Sequence, residues 1–179
     1  LDWLSENERT VKKIVFEKTS SLLNSNIIVA KQSSKETLDV IKKTISANSS
    51  YKTIFNEEFT YSINENGFIY YEDKLGGLKL PKPNLPGDFQ VDNVVTAIAT
   101  LRQLDLKIED NHIKTGITKI KSIARLHEIK KGKLKNLCKN NKIFVDGSHN
   151  PLGAKVLNKY LDDLSCNKHI ILGMMANKD

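Results

Sequence analysis

Ile143-Phe144-Val145-Asp146-Gly147-Ser148-His149-Asn150-Pro151 is the stretch on which the reading of this chain turns. An apolar run ending in an acid predicts a strand. Gly147 lets the backbone turn, and Pro151, with its fixed φ and no N–H to lose, suits the first position of a helix. Beyond it Leu152, Val156, Leu157, Tyr160, Leu161 and Leu164 recur at helical spacing, so residues 152–164 should present one apolar face. Strand, short polar loop and helix together form the unit from which α/β proteins build ligand sites, because ligands settle beyond the carboxyl ends of strands.

Working outward, the apolar residues within 169–173 predict another strand. Strand, helix and strand would then form a right-handed parallel crossover. In the first fifty residues Val11, Ile14, Val15, Leu22 and Leu23 predict a helix over residues 10–23, and Ile27-Ile28-Val29-Ala30 a short buried strand. Ser34 is placed to cap a second helix that carries Leu38, Val40, Ile41 and Ile45 and runs to about residue 47. The texture then changes to short alternating runs. Residues 59–63 and 68–71 flank Asn64-Glu65-Asn66-Gly67, which is a hairpin signal. Gly76-Gly77, Pro81, Pro83 and Pro86-Gly87 read as punctuation before a helix over residues 91–104, and a further helix is expected over 109–120. The best domain boundary falls in residues 119–126, before a strand-like run at 126–129. There is no internal repeat and no low-complexity tract.

The chain has 179 residues, begins with Leu1 and ends at Asp179 soon after the last expected strand, so it is expected to be a piece of a longer protein. Its formal charge of +7 would suit a polyanion. However, Lys is spread along the whole length, Arg occurs only at Arg9, Arg102 and Arg125, and the Ile- and Asn-rich composition fits AT-rich codon usage. A solvated lysine surface is the reading preferred over a nucleic-acid face. Cys138 and Cys166 stand apart with no metal-ligand spacing, so neither zinc nor a disulfide framework is indicated and a reducing compartment fits. No apolar stretch reaches the ~18 residues a membrane span requires. A soluble, cytoplasmic protein without nucleic-acid or membrane partners is expected.

Several landmarks resemble, in order, those of folylpolyglutamate synthase and dihydrofolate synthase in the Mur ligase superfamily. Ile14-Val15-Phe16-Glu17-Lys18 is similar to that family's Ile-Ala-x-Glu-Lys. Residues 85–93, Leu-Pro-Gly-Asp-Phe-Gln-Val-Asp-Asn, resemble its Leu-x-Gly-x-His-Gln-x-x-Asn helix opening. Arg125-Leu126-His127-Glu128 resembles its Gly-Arg-Leu-Glu, residues 144–151 its Leu-Asp-Gly-Ala-His-Asn-Pro, and residues 173–179 its Gly-x-x-x-x-Lys-Asp. The order and spacing of these motifs carry the resemblance.

The resemblance implies an α/β fold. The C-terminal part of a P-loop ATPase domain would occupy residues 1–122, and the start of a Rossmann-like C-terminal domain residues 123–179. It implies an ATP- and Mg²⁺-dependent ligase of folate biosynthesis and one-carbon metabolism, monomeric at full length. Such a ligase phosphorylates the carboxylate of dihydropteroate or a folate, and the amine of L-glutamate then attacks the acyl phosphate.

By the same resemblance Lys18 is a carbamylated lysine supporting magnesium, since carbamylation makes an ammonium into a hard oxygen donor. The alternative is an ordinary helix lysine. Asn93 is an ATP contact or a helix cap. Arg125 is a phosphate clamp or an interdomain salt bridge. Asp146 is a ribose ligand or a loop cap. His149 orders its loop or approaches the reaction centre, and Lys178 and Asp179 sit too near the chain end to assign.

The sequence also departs from the family. Its phosphate loop, Gly-Thr-Asn-Gly-Lys-Gly-Ser, does not occur in these residues, so the chain is expected to be inactive alone. The family's Asp-His magnesium pair is missing as well; residues 1–4 resemble the positions directly C-terminal to that pair. Thr19-Ser20-Ser21 replaces Ala-Gly-Ile, Phe89 replaces His, and Ile123-Ala124 replaces the Pro-Gly before Arg125, which should alter the hinge backbone and the aim of Arg125. The rival readings are another Mur-type amide ligase with a cell-wall or polymer substrate, and a non-catalytic remnant of a decayed or split gene.

Overall fold

The computed structural model describes residues 10–20, 22, 25–46 and 51–175 of the chain, a mixed α/β arrangement. Helix α1 (Val11–Thr19) is opened by Thr10, whose hydroxyl accepts from the Lys13 N–H. Strand β1 (Ile27–Val29) and helix α2 (Lys35–Ile45) come next. Ser34 caps α2 as expected, accepting from the Thr37 N–H. Strand β2 (Lys52–Ile54) pairs with β1 in parallel, Ile28 opposite Thr53. Ile27, Val29 and Ile54 point to one face of this small sheet, where Ile45, Leu22, Leu38 and Ile41 cover them. The first helix ends at Thr19, four residues short of what its apolar spacing suggests.

Strands β3 (Phe59–Ile63), β4 (Ile69–Asp73) and β5 (Gly76–Leu80) form an antiparallel meander. The β3–β4 hairpin lies where the Asn64–Gly67 signal puts it. Strand β5 corrects the reading of Gly76-Gly77 as punctuation. Its partner residues Asp73 and Gly76 bracket a two-residue turn, in which the Asp73 carboxylate accepts from the Leu75 N–H. Gly76 has φ 105°, a conformation that only glycine adopts without strain, so the glycine here is the start of a strand.

Helix α3 (Phe89–Leu101) and helix α4 (Asp110–Thr118) complete the main core. Ile69, Tyr71, Leu78 and Leu80 of the meander pack against Val91, Val94, Val95 and Ile98 of α3, with Ile113 and Ile117 of α4 alongside. Helix α3 starts two residues earlier and ends three earlier than its apolar spacing suggests.

The remaining elements are strand β6 (His127–Glu128), helix α5 (Lys133–Leu137), strand β7 (Phe144–Val145) and helix α6 (Pro151–Asp162). The expected parallel crossover is not formed. Strand β7 pairs antiparallel with β6, and residues 169–173 form no strand. A strand exists only through its partner, and a run that finds neither an edge nor cover stays solvated: Ile171 is 100% exposed. The apolar face of α6 is correspondingly only half-buried, with Phe144 meeting Tyr160 edge to face at 6.1 Å. Residues 1–4, Leu23, residue 47, Lys178 and Asp179 lie outside the described residues, as do the readings placed on them.

Candidate functional site

A cleft of about 410 Å³ opens between the start of α3, the segment before β6 and the loop that leads into α6. Asn93, Arg125 and Asp146, three residues singled out from the sequence, all line it. They come from positions 93, 125 and 146 of the chain, so it is the fold that collects them.

Asn93 is the fifth residue of α3, past the first turn, so its amide is not spent on capping. Its Nδ2 donates to Gln90 Oε1 at 3.1 Å. Gln90 is buried and lines the same cleft, which fixes the Asn93 side chain by a neighbour one turn back.

Arg125 sits between two residues in left-handed backbone, Ala124 at φ 57° and Leu126 at φ 49°. Ala124, where the resembled motif has Gly, adopts left-handed backbone, with a strain of about 1–2 kcal/mol. The turn is tied on both sides. Gly147 N–H donates to the Ala124 carbonyl at 2.9 Å, and Leu126 N–H donates to Asp146 Oδ2 at 2.7 Å. A Cβ on Gly147 would lie 3.3 Å from the Ala124 carbonyl oxygen, so the close approach favours glycine there.

Asp146 stands at the end of β7. Besides Leu126, its carboxylate accepts from the Ser148 N–H at 2.8 Å and from the Ser148 hydroxyl. Burial works against its charge. The Ser148 hydroxyl, the Leu126 and Ser148 N–H groups and the Arg125 charge more than offset this and hold the carboxyl below its ordinary value. Asp146 is thus an ionised loop organiser in the wall of the cleft. Oδ1 is filled by the two Ser148 donors, while Oδ2, bonded only to Leu126 among the described residues, keeps one acceptor site.

Asn150 caps α6 by accepting from the Gly153 N–H at 2.8 Å, with Pro151 at the first helical position. Lys159 of α6 reaches Asp88, just before α3, at 2.9 Å, so an exposed ion pair spans the two sides of the cleft.

Two sequence candidates lie elsewhere. Lys18 is exposed at the end of α1, outside the cleft lining, and its side chain has no hydrogen-bond or ion-pair partner among the described residues. His149 is exposed, and its Nδ1 donates to the Gly147 carbonyl at 2.9 Å, so it braces the loop with the other ring nitrogen outward. The sequence reading missed Gln90, Ser148 and Asn150 as lining residues. The Asp-x-Ser turn and the Asn-Pro helix start were the available signals for the last two.

No family model matches the chain. The dihydrofolate synthase/folylpolyglutamate synthase of Escherichia coli is 28% identical over 125 residues, covering 68% of this chain and 26% of the relative. Among solved structures, E. coli FolC in complex with DHPP and ADP aligns with a TM-score of 0.76 at 23% identity, covering 98% of this chain and 40% of that one. The folylpolyglutamate synthase of Mycobacterium tuberculosis complexed with ADP aligns at 0.67 and 18% identity, covering 89% and 36%. The chain is homologous to part of dihydrofolate synthase/folylpolyglutamate synthase, and it spans between about a quarter and two fifths of these relatives.

Proposed function

We propose that this chain supplies one wall of the nucleotide site of an ATP-dependent ligase that adds L-glutamate to dihydropteroate, to folylpolyglutamates, or to both. In this reading residues 1–122 are the C-terminal part of a Mur-type ATPase domain and residues 123–179 open a Rossmann-like domain, with ATP at their junction. The observation that carries it is the convergence of Asn93, Arg125 and Asp146 on one cleft, whose size falls within the ~300–1,000 Å³ of ordinary small-molecule sites. ADP bound to the related structures supports the choice of ligand.

The donor set suits a nucleotide's sugar and phosphates. Arg125 offers planar donors to phosphate oxygens, Asp146 Oδ2 retains one acceptor site for a ribose hydroxyl, and the Asn93 amide is held in place by Gln90. In the reaction, ATP supplies the phosphoryl group that converts a carboxylate into an acyl phosphate open to an amine. Arg125, exposed in the cleft wall, contributes positive charge where oxyanions develop.

Magnesium fits this chain less well. Among the described residues no three His, Cys, Asp or Glu side chains come together as a metal site. Lys18 stays in the proposal as a carbamate donor acting outside the cleft; no step is assigned to the ion, and none to His149. Together with the absent phosphate loop, this makes the chain by itself inactive in the proposed reaction.

The test is thermal unfolding with and without MgATP, because a ligand that binds only the folded state raises the melting temperature. The expected result is an upward shift that is lost in Asn93→Ala and Arg125→Ala. Both side chains can be removed without unhooking the loop, whereas Asp146→Ala would unhook it. A cooperative melt that MgATP leaves unmoved would sink the proposal.

A further inference from the structure

Lysines are spread along the chain, but the acids are not. Residues 129–142 hold six lysines and no Asp or Glu, so this one segment carries +6 of the formal charge of +7 and the other 165 residues are close to neutral. The segment is the loop between β6 and β7, the same hairpin whose other end bears Arg125, Leu126 and Asp146 in the cleft wall. Its shape is fixed by one of the lysines: Lys135 Nζ donates to the carbonyls of Lys139 at 3.0 Å and of Asn141 at 2.6 Å, closing the turn after α5. Lys130 lies 3.8 Å from Glu128. The side chains of Lys131, Lys133, Lys139 and Lys142 are exposed and have no acidic partner among the described residues. Four like charges gathered on a folded loop repel one another and lower the cost of bringing a polyanion to them.

We propose that this loop binds an anionic oligomer of carboxylates, the γ-linked glutamate tail of the substrate or product; the inference rests on the ligase reading above. Charge complementarity points to this occupant. A γ-linked oligoglutamate carries a carboxylate on every unit, and its terminal carboxylate is the group that the ATP of the proposed cleft would phosphorylate. Separate ammonium groups on flexible stems suit carboxylates strung on a flexible chain, whereas planar phosphate recognition favours Arg, which residues 129–142 lack. The segment also lacks Phe, Tyr and Trp, the stacking platforms of single-strand nucleic-acid sites.

The experiment measures binding of γ-linked pentaglutamate and of free glutamate to the chain at low and physiological salt, beside Lys131→Gln/Lys133→Gln/Lys139→Gln/Lys142→Gln and the corresponding all-Arg variant. All four side chains are exposed, and circular dichroism verifies the fold of each variant. The expected result is salt-sensitive binding of pentaglutamate well above that of glutamate, weakened roughly tenfold or more in the Gln variant and kept in the Arg variant. Equal binding of both probes, or undiminished binding by the Gln variant, would overturn the proposal. So would tighter binding of a single-stranded oligonucleotide or of phosphatidylserine vesicles than of pentaglutamate. The MgATP melting shift is read on the same samples. A shift without pentaglutamate binding overturns the loop inference alone, and lysine-dependent pentaglutamate binding without a shift supports the loop while removing the nucleotide reading.

Discussion

Asp146 Oδ2 accepts a hydrogen bond from the backbone N–H of Leu126, twenty residues earlier, at 2.7 Å, while Oδ1 takes the N–H of Ser148. One carboxylate therefore joins the segment before β6 to the loop before α6, two of the three parts that line the cleft. Replacing it with Ala strands two partly buried N–H groups and removes a charge-assisted pair of bonds, an expected loss of about 2 kcal/mol in urea unfolding. Its pKa gives a second readout. The carboxyl is held below its ordinary 3.8, so its contribution is present above that pH and is lost as pH falls through the lower folded value. Stability of the native chain should drop in that acid window, and the Asp146→Asn variant should lack that component of the fall.

Ala124 holds a left-handed conformation at φ 57° in the position where the related motif has glycine. Ala124→Gly relieves ~1–2 kcal/mol of strain and gives back ~0.4–1 kcal/mol through the freer unfolded chain. A net gain of about 0.5–1 kcal/mol is expected from denaturant midpoints. A loss would mean that the turn before Arg125 is not strained.

Arg102 at the end of α3 donates to Asp73 at 2.6 Å and to the Gly76 carbonyl at 2.9 Å, and its guanidinium lies over the Tyr71 ring at 5.5 Å. The Asp73 side chain is 4% exposed, so Arg102→Ala leaves a buried carboxylate short of its cation, at a cost of about 3 kcal/mol. Arg102→Lys should recover only part of this, because an ammonium restores the charge but not the planar guanidinium that covers the Tyr71 ring. Burial, then the hydrogen bond to Asp73, pushes the Tyr71 hydroxyl well above its ordinary 10.0, against the opposing pull of Arg102. The folded chain thus holds that proton more tightly. This contribution is whole below pH 10 and lost as pH rises through the folded value, and Tyr71→Phe should flatten the alkaline decline in stability.

The contrast between the two ends of the chain explains what the sequence could disclose. Ser34, the Asn64–Gly67 turn and the α3 apolar stripe act through neighbours a few residues away, so pattern alone locates them. Strand β5 was hidden because its turn, Lys74-Leu75, has none of the usual glycine-rich chemistry and takes its order from Asp73 instead. For Asp146 the alternatives of ligand and loop cap were both visible. That it clamps Leu126 was not, because the partner is remote and shows only once the chain is folded. The parallel crossover failed for the complementary reason: residues 169–173 have the composition of a strand, but a strand is completed by a partner that local composition does not specify.

Ile170 and Leu172 are 71% and 73% exposed beside the fully exposed Ile171, an apolar β-prone run with no paired edge among the described residues. Such a segment templates pairing with a second copy, because its free N–H and C=O groups and its apolar side chains gain together on association. The chain is expected to self-associate with rising concentration, measured by light scattering and sedimentation, and to melt irreversibly at micromolar concentration. Ile171→Lys places a charge in the middle of the run, where pairing would have to desolvate it. That variant should remain monomeric at concentrations where the native chain associates, with little change in unfolding midpoint because the side chain makes no buried contact to lose. A sharp, reversible, concentration-independent melt of the native chain would show instead that this run is not a self-pairing edge.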